Sequence, residues 1–83
     1  MTNSKSLPVA KAAGSSRISG RNQLFGTVTG VTIDGLLAKV VLAVGDQRVT
    51  AIITSDAARE MKLKKGDTAA ALIKATEVMI VRP

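Results

Sequence analysis

The sequence predicts a small all-β domain with one short helix. Three observations lead there. Stretches rich in Thr, Val, Ile and Ala recur from Phe25 to Val81. Asp-Gly and Gly-Asp pairs suited to tight hairpins separate the first of them. Only one short stretch, residues 56–62, carries helix signals. The chain has 83 residues, room for one domain, and 46% of them are hydrophobic, enough to fold. A domain this small buries little core and often relies on a partner subunit.

Residues 1–17 are rich in Ser, Ala, Lys and Gly without periodicity, and read as a flexible basic arm ahead of a folded domain over 18–83. Phe25 to Ile33 alternates Thr with Val or Gly, the pattern of a first strand. Asp34-Gly35 marks a hairpin, because glycine takes positive φ without steric cost. Leu36 to Val44 is a second strand, whose one charge, Lys39, points outward or lies at an edge. Gly45-Asp46 makes the next turn. Gln47 to Ile53 is a third strand, with Gln47, Val49, Ala51 and Ile53 on one face and Arg48, Thr50 and Ile52 on the other. Both faces are partly apolar, so one can meet the core and the other a second subunit.

Thr54 or Ser55 then caps a helix from Asp56 to Lys62. Asp56 near its start and Lys62 near its end suit the helix dipole. Leu63 to Asp67 is a turn, Thr68 to Lys74 a fourth strand, and Val78 to Val81 a fifth. Five strands with a short helix between the third and fourth is the pattern of an OB-type Greek-key barrel. Side chains fill the interior of so small a barrel, so a ligand is expected on its rim or between subunits.

The net charge is +6, and Lys5, Lys11, Arg17 and Arg21 all precede the first acid, Asp34. From Asn22 onward the balance is only mildly basic. The bland reading of the excess is a solubilising extension; the sharper one is contact with nucleic acid or acidic lipid. There is no cysteine and no histidine, which excludes disulfides, Cys/His metal sites and a base titrating near neutrality. The six carboxylates lie mostly in turns or on the helix, where solvated carboxylates are ordinary. No phosphate-loop or dinucleotide motif occurs. The chain reads as no enzyme. Phe25 is its sole aromatic residue, so it lacks the stacking platform by which OB barrels bind single strands, and no nucleic-acid partner is expected. No apolar run is long enough to span a bilayer, and residues 1–17 hold no continuous apolar segment of the signal-peptide kind. The expected location is the cytoplasm.

Three polar clusters remain: Ser19-Gly20-Arg21-Asn22-Gln23 before the first strand, Thr54-Ser55 at the helix start, and Lys74-Ala75-Thr76 between the last two strands. Each offers what a tetrahedral dianion needs: hydroxyls, backbone N–H groups and positive charge. Singly, each is more simply a cap or a solvated strand end.

The stretch Ser19-Gly20-Arg21-Asn22-Gln23-Leu24-Phe25-Gly26-Thr27-Val28 resembles the opening motif of the Mop domain, and Lys74-Ala75-Thr76-Glu77-Val78-Met79-Ile80 its closing motif. Val49 to Thr54 and Leu63 to Asp67 fall where that family has its third strand and post-helix turn. The resemblance, to the molbindins, covers residues 18–81. It implies an OB-like barrel that binds molybdate, and often tungstate, at subunit interfaces of a homohexamer built as a trimer of dimers. It further implies the stand-alone storage form, since the chain shows no DNA-binding or ATPase domain.

Carried over residue by residue, the resemblance assigns a hydroxyl donor at Ser19, a backbone N–H at Gly20, and charge or a backbone N–H at Arg21. It assigns charge neutralisation to Lys74, a backbone N–H to Ala75, a hydroxyl to Thr76, and a contribution from the neighbouring subunit to Thr54. Gly20 stands where alanine is commoner, and Ala57 where many members have a serine. Molybdate and tungstate are nearly the same size and sulfate is smaller, so discrimination against sulfate is expected. Two other readings stand beside this one. One is an OB-type nucleic-acid binder using the basic arm. The other is a structural oligomerisation module whose anion site has decayed.

Overall fold

A computed structural model describes residues 17–83. The expected arm therefore lies outside the described residues, apart from Arg17, which is exposed. Two compact units are present: Leu24–Ala71, and the terminal segments up to Gln23 and from Leu72.

The elements are β1 (Asn22–Asp34), β2 (Leu37–Val44), β3 (Gln47–Thr54), α1 (Ser55–Glu60) and β4 (Thr68–Ile73). They form one curled antiparallel sheet in the order β3-β2-β1-β4, consistent with an OB-like fold. Both hairpins close over two residues, since Asp34 pairs with Leu37 and Val44 with Gln47. Gly35 and Gly45 take the first loop position with φ of 63° and 61°. That is the left-handed backbone such short loops require.

β1 is longer than expected and is bent. Its register against β2 shifts between Val28 and Gly30, leaving Thr29 as an extra residue, a β-bulge. Beside the bulge, the Val28 N–H donates to the Asp67 carbonyl and the Gly66 N–H donates to the Val28 carbonyl, both at 2.8 Å. The turn after α1 is thereby fastened to β1. Gly26 is demanded by close approach: a Cβ there would overlap the Ala43 carbonyl oxygen of β2.

The core of the Leu24–Ala71 unit is Val28, Val40 and Leu42, flanked by half-buried Val31, Val49, Ile53 and Leu63. Pairing of Ala38 with Ile53, Val40 with Ala51 and Leu42 with Val49 places all six on the inner face. Lys39 and Ile52 pair on the outer face and are exposed. An apolar bay of about 140 Å3, lined by Val40, Leu42, Val49, Ile53, Met61 and Leu63 among others, opens on the inner side.

Two expectations are corrected. The helix spans Ser55–Glu60, where Asp56 to Lys62 was expected. Thr54 is its N-cap, its Oγ1 accepting from the Ala57 N–H at 3.0 Å, so the first helical residue is Ser55. At the other end Lys62 takes φ of 53°. The Lys62 N–H then donates to the Arg59 carbonyl and the Leu63 N–H to the Ala58 carbonyl, a Schellman stop. Lys62 thus lies beyond the helix, and Arg59 is the base in its last turn. Second, among the described residues the sheet has four strands, and Val78 to Val81 is not a fifth. A 3-10 turn, Ala75–Glu77, follows β4, and the residues after it join no strand among the described residues. Strand propensity records how well a residue fits a pleated, partly covered surface. Val78 to Val81 has no such neighbour among the described residues, and Met79, Ile80 and Val81 are each more than 85% exposed.

Candidate functional site

Two of the three polar clusters lie in the unit made by the terminal segments. Ser19 and Arg21 are exposed, while Gly20 between them is buried. Gly20 faces the start of the C-terminal segment: a Cβ built on it would sit 3.5 Å from Leu72 Cβ and 3.8 Å from the Ile73 nitrogen. These are ordinary van der Waals separations, so the backbone of Gly20 runs close against Leu72–Ile73. Two residues on, the Asn22 side-chain Nδ2 donates to the Ile73 carbonyl at 3.2 Å. The Ser19–Arg21 segment is thus secured to the residues directly preceding Lys74.

Lys74 leaves β4 in an extended conformation, φ −65° and ψ 142°, and opens the 3-10 turn. Within that turn the Glu77 N–H donates to the Lys74 carbonyl at 2.9 Å and the Val78 N–H to the Ala75 carbonyl at 3.4 Å. The first N–H groups of a helical turn have no acceptor inside it. Those of Ala75 and Thr76 are therefore available to a ligand. Lys74, Ala75 and Thr76 are exposed, and the Lys74 side chain makes no capping hydrogen bond.

The charge of this unit suits an anion. Its described residues include Arg17, Arg21, Lys74 and Arg82 against the single acid Glu77, a side-chain balance of +3. The Leu24–Ala71 unit carries six basic and five acidic side chains. Among the described residues, most of the positive excess therefore lies in the unit that holds the two candidate segments, a setting that favours small anions.

Thr54 belongs to the other unit, at the end of β3, and its side chain is exposed. Capping uses one lone pair of its oxygen. A threonine hydroxyl has a second lone pair and a proton to give, so Thr54 can cap α1 and still donate to an anion. Ala57, three residues on, supplies the N–H for that cap but no hydroxyl.

Asn22 lies in the first polar cluster, but the reading of the sequence gave it no role there. It stands inside the opening motif, which was the available signal, but its link to Ile73 spans 51 positions. No group of three or more potential metal-ligating side chains occurs among the described residues. One titration bears on structure: hydrogen bonds from the Lys64 side chain and then its backbone N–H hold the Asp67 carboxyl below its ordinary value.

A curled β-sheet domain with two adjoining N–H- and hydroxyl-bearing segments in a basic setting is a small-anion binding domain in its architecture. The family model for the TOBE domain matches residues 18–80, and the chain belongs to this family, in its molbindin or Mop form. Molybdenum-pterin-binding protein 1 of Clostridium pasteurianum is 43% identical over 65 residues, 77% of this chain and 96% of the relative. A molybdate-binding protein from Sporomusa ovata superposes with a TM-score of 0.77 at 36% identity, over 80% of this chain and 98% of the other. The cytoplasmic molybdate-binding protein ModG, in a form with molybdate bound, gives a TM-score of 0.68 at 41% identity, over 74% of this chain and 45% of its own.

Proposed function

We propose that this chain binds molybdate, and tungstate with it, for intracellular storage and homeostasis of the oxyanion. Ser19, Gly20 and Arg21 and Lys74, Ala75 and Thr76 form one side of the site, and Thr54 of a neighbouring subunit completes it. The observation that carries the reading is the hydrogen bond from Asn22 to Ile73, with buried Gly20 beside Leu72–Ile73. It joins the two motif segments of the Mop family in one unit with a side-chain balance of +3. Molybdate as the ligand is supported by relatives that bind it.

The chemistry fits. A dianion removed from water needs full hydrogen bonding and compensating charge. The exposed hydroxyls of Ser19 and Thr76, the N–H groups of Ala75 and Thr76, and the Lys74 ammonium supply both.

A homo-oligomer, a hexamer arranged as a trimer of dimers, is part of the same proposal. It is supported by the uncovered apolar residues Met79, Ile80 and Val81, by exposed Ile52, and by the apolar bay. A cytoplasmic setting is supported by the ModG relative. No helix among the described residues is long and apolar enough to cross a membrane.

The test is thermal unfolding with molybdate and, at matched ionic strength, with sulfate. A ligand bound only by the native state raises stability by mass action, about 2.7 kcal/mol at a hundredfold excess over Kd. A rise with molybdate that exceeds the rise with sulfate, and is lost in Lys74→Ala, is the expected result. No shift at large molybdate excess would sink the reading. Native mass spectrometry reads the subunit number in the same samples.

A further inference from the structure

We propose that Asn22 is a positioning residue that fixes the spacing of the two anion-binding segments and thereby sets which oxyanion the site prefers. The inference rests on the molybdate reading above.

Asn22 makes the longest-range side-chain hydrogen bond among the described residues. Its Nδ2 reaches the Ile73 carbonyl at 3.2 Å across 51 positions, while the others join residues at most 12 apart. What it holds is specific. The Ile73 carbonyl shares a rigid peptide plane with the Lys74 N–H. Directing that carbonyl sets the rotation of the plane, and so the course on which Lys74 enters the 3-10 turn with the N–H groups of Ala75 and Thr76. On its other side, the Asn22 backbone follows directly on Arg21. One side-chain amide therefore acts on both segments.

The β1–β4 pairing holds the strands side by side but stops at Asn22 and Ile73, where the two anion-binding segments begin. The Asn22 side chain adds its bond at that last position, and a hydrogen bond constrains direction as well as distance. Molybdate and sulfate carry the same charge and shape and differ in radius. Donors on a fixed spacing distinguish them, and donors free to shift adapt to either. Lys74, acting through charge, serves both dianions alike.

The experiment titrates the full-length chain with molybdate and with sulfate by calorimetry, in the unaltered protein, in Asn22→Ala and in Lys74→Ala. In Asn22→Ala, molybdate affinity is expected to fall roughly tenfold or more, as when a supporting residue behind a ligand is lost. Sulfate affinity falls less, so the preference narrows. Lys74→Ala weakens both anions and keeps the preference. General destabilisation would lower both affinities together, so the ratio is the deciding quantity. An unchanged molybdate-to-sulfate ratio in a folded Asn22→Ala protein overturns the positioning role while leaving molybdate binding intact. Failure of the unaltered protein to bind molybdate overturns both.

Should Asn22→Ala not fold, NMR of the Asn22 side-chain amide in the unaltered protein decides. Slow solvent exchange, with a shift that moves more on adding molybdate than sulfate, is expected. An amide exchanging as freely as an exposed one, with and without molybdate, refutes the proposal.

Discussion

Gly20→Ala offers a direct check on the packing of the first segment proposed to bind the anion. Gly20 is buried, and its φ lies outside the left-handed range. An alanine Cβ would stand 3.5 Å from Leu72 Cβ, 3.8 Å from the Ile73 nitrogen and 3.9 Å from Ile18 Cγ2. All three distances are contacts without overlap. Where alanine fits the native backbone, replacing glycine stabilises by about 0.4–1 kcal/mol, chiefly by narrowing the unfolded ensemble. Burial of the added methyl contributes up to about 0.8 kcal/mol more. A gain of about 1 kcal/mol raises the midpoint of a domain this size by roughly 4–8 °C. The assay is far-UV circular dichroism on heating without added anion, at one protein concentration so that assembly does not enter. A midpoint at or below that of the unaltered protein would refute the reasoning. It would mean that the segment does not run against Leu72–Ile73 as described.

The same substitution at Gly26 should act in the opposite sense. Its Cβ would overlap the Ala43 carbonyl oxygen, and a loss of about 3 kcal/mol or more is expected in denaturant unfolding. Thr54→Ala removes the cap on α1 and should cost about 1 kcal/mol without anion; calorimetry should also show weaker molybdate binding, whereas Thr54→Ser retains both roles. Ala57→Ser restores a hydroxyl beside that cap and should raise molybdate affinity, read by the same titration. The Asp67 carboxyl is held below its ordinary value by Lys64. Its contribution is thus complete above the unfolded value of about 3.9 and fades as pH falls through the lowered folded value. Asp67→Asn should flatten that acid limb of the stability curve while leaving its shape near neutrality unchanged.

The parts of the fold that local chemistry decides were legible in the sequence. Asp34-Gly35 and Gly45-Asp46 announced the hairpins because only glycine enters positive φ freely, and Thr54 announced the start of the helix. The end of the helix was hidden: a lysine, Lys62, occupies the left-handed position where glycine is the usual signal. The bulge at Thr29 was hidden too, since one extra residue barely disturbs an alternation of Thr, Val and Gly. Val78 to Val81 has strand composition, but a strand also needs a neighbour, and composition carries no record of one. The two segments proposed to bind the anion stand out in the sequence as motifs because their chemistry is contiguous in the chain. The bond from Asn22 to Ile73 could not, because it exists only once β1 and the end of β4 are in place.

The uncovered apolar end of the chain, Met79 to Val81, has a consequence for how the protein responds to its own abundance. If subunits cover that surface for one another and share Thr54 across the contact, folding stability and ligand capacity both follow the law of mass action in the protein itself. Dilution then lowers the unfolding temperature and empties sites together. A cell making few copies would hold disproportionately little oxyanion. Modest induction would raise the stored amount faster than the copy number, giving the store a threshold without any regulator.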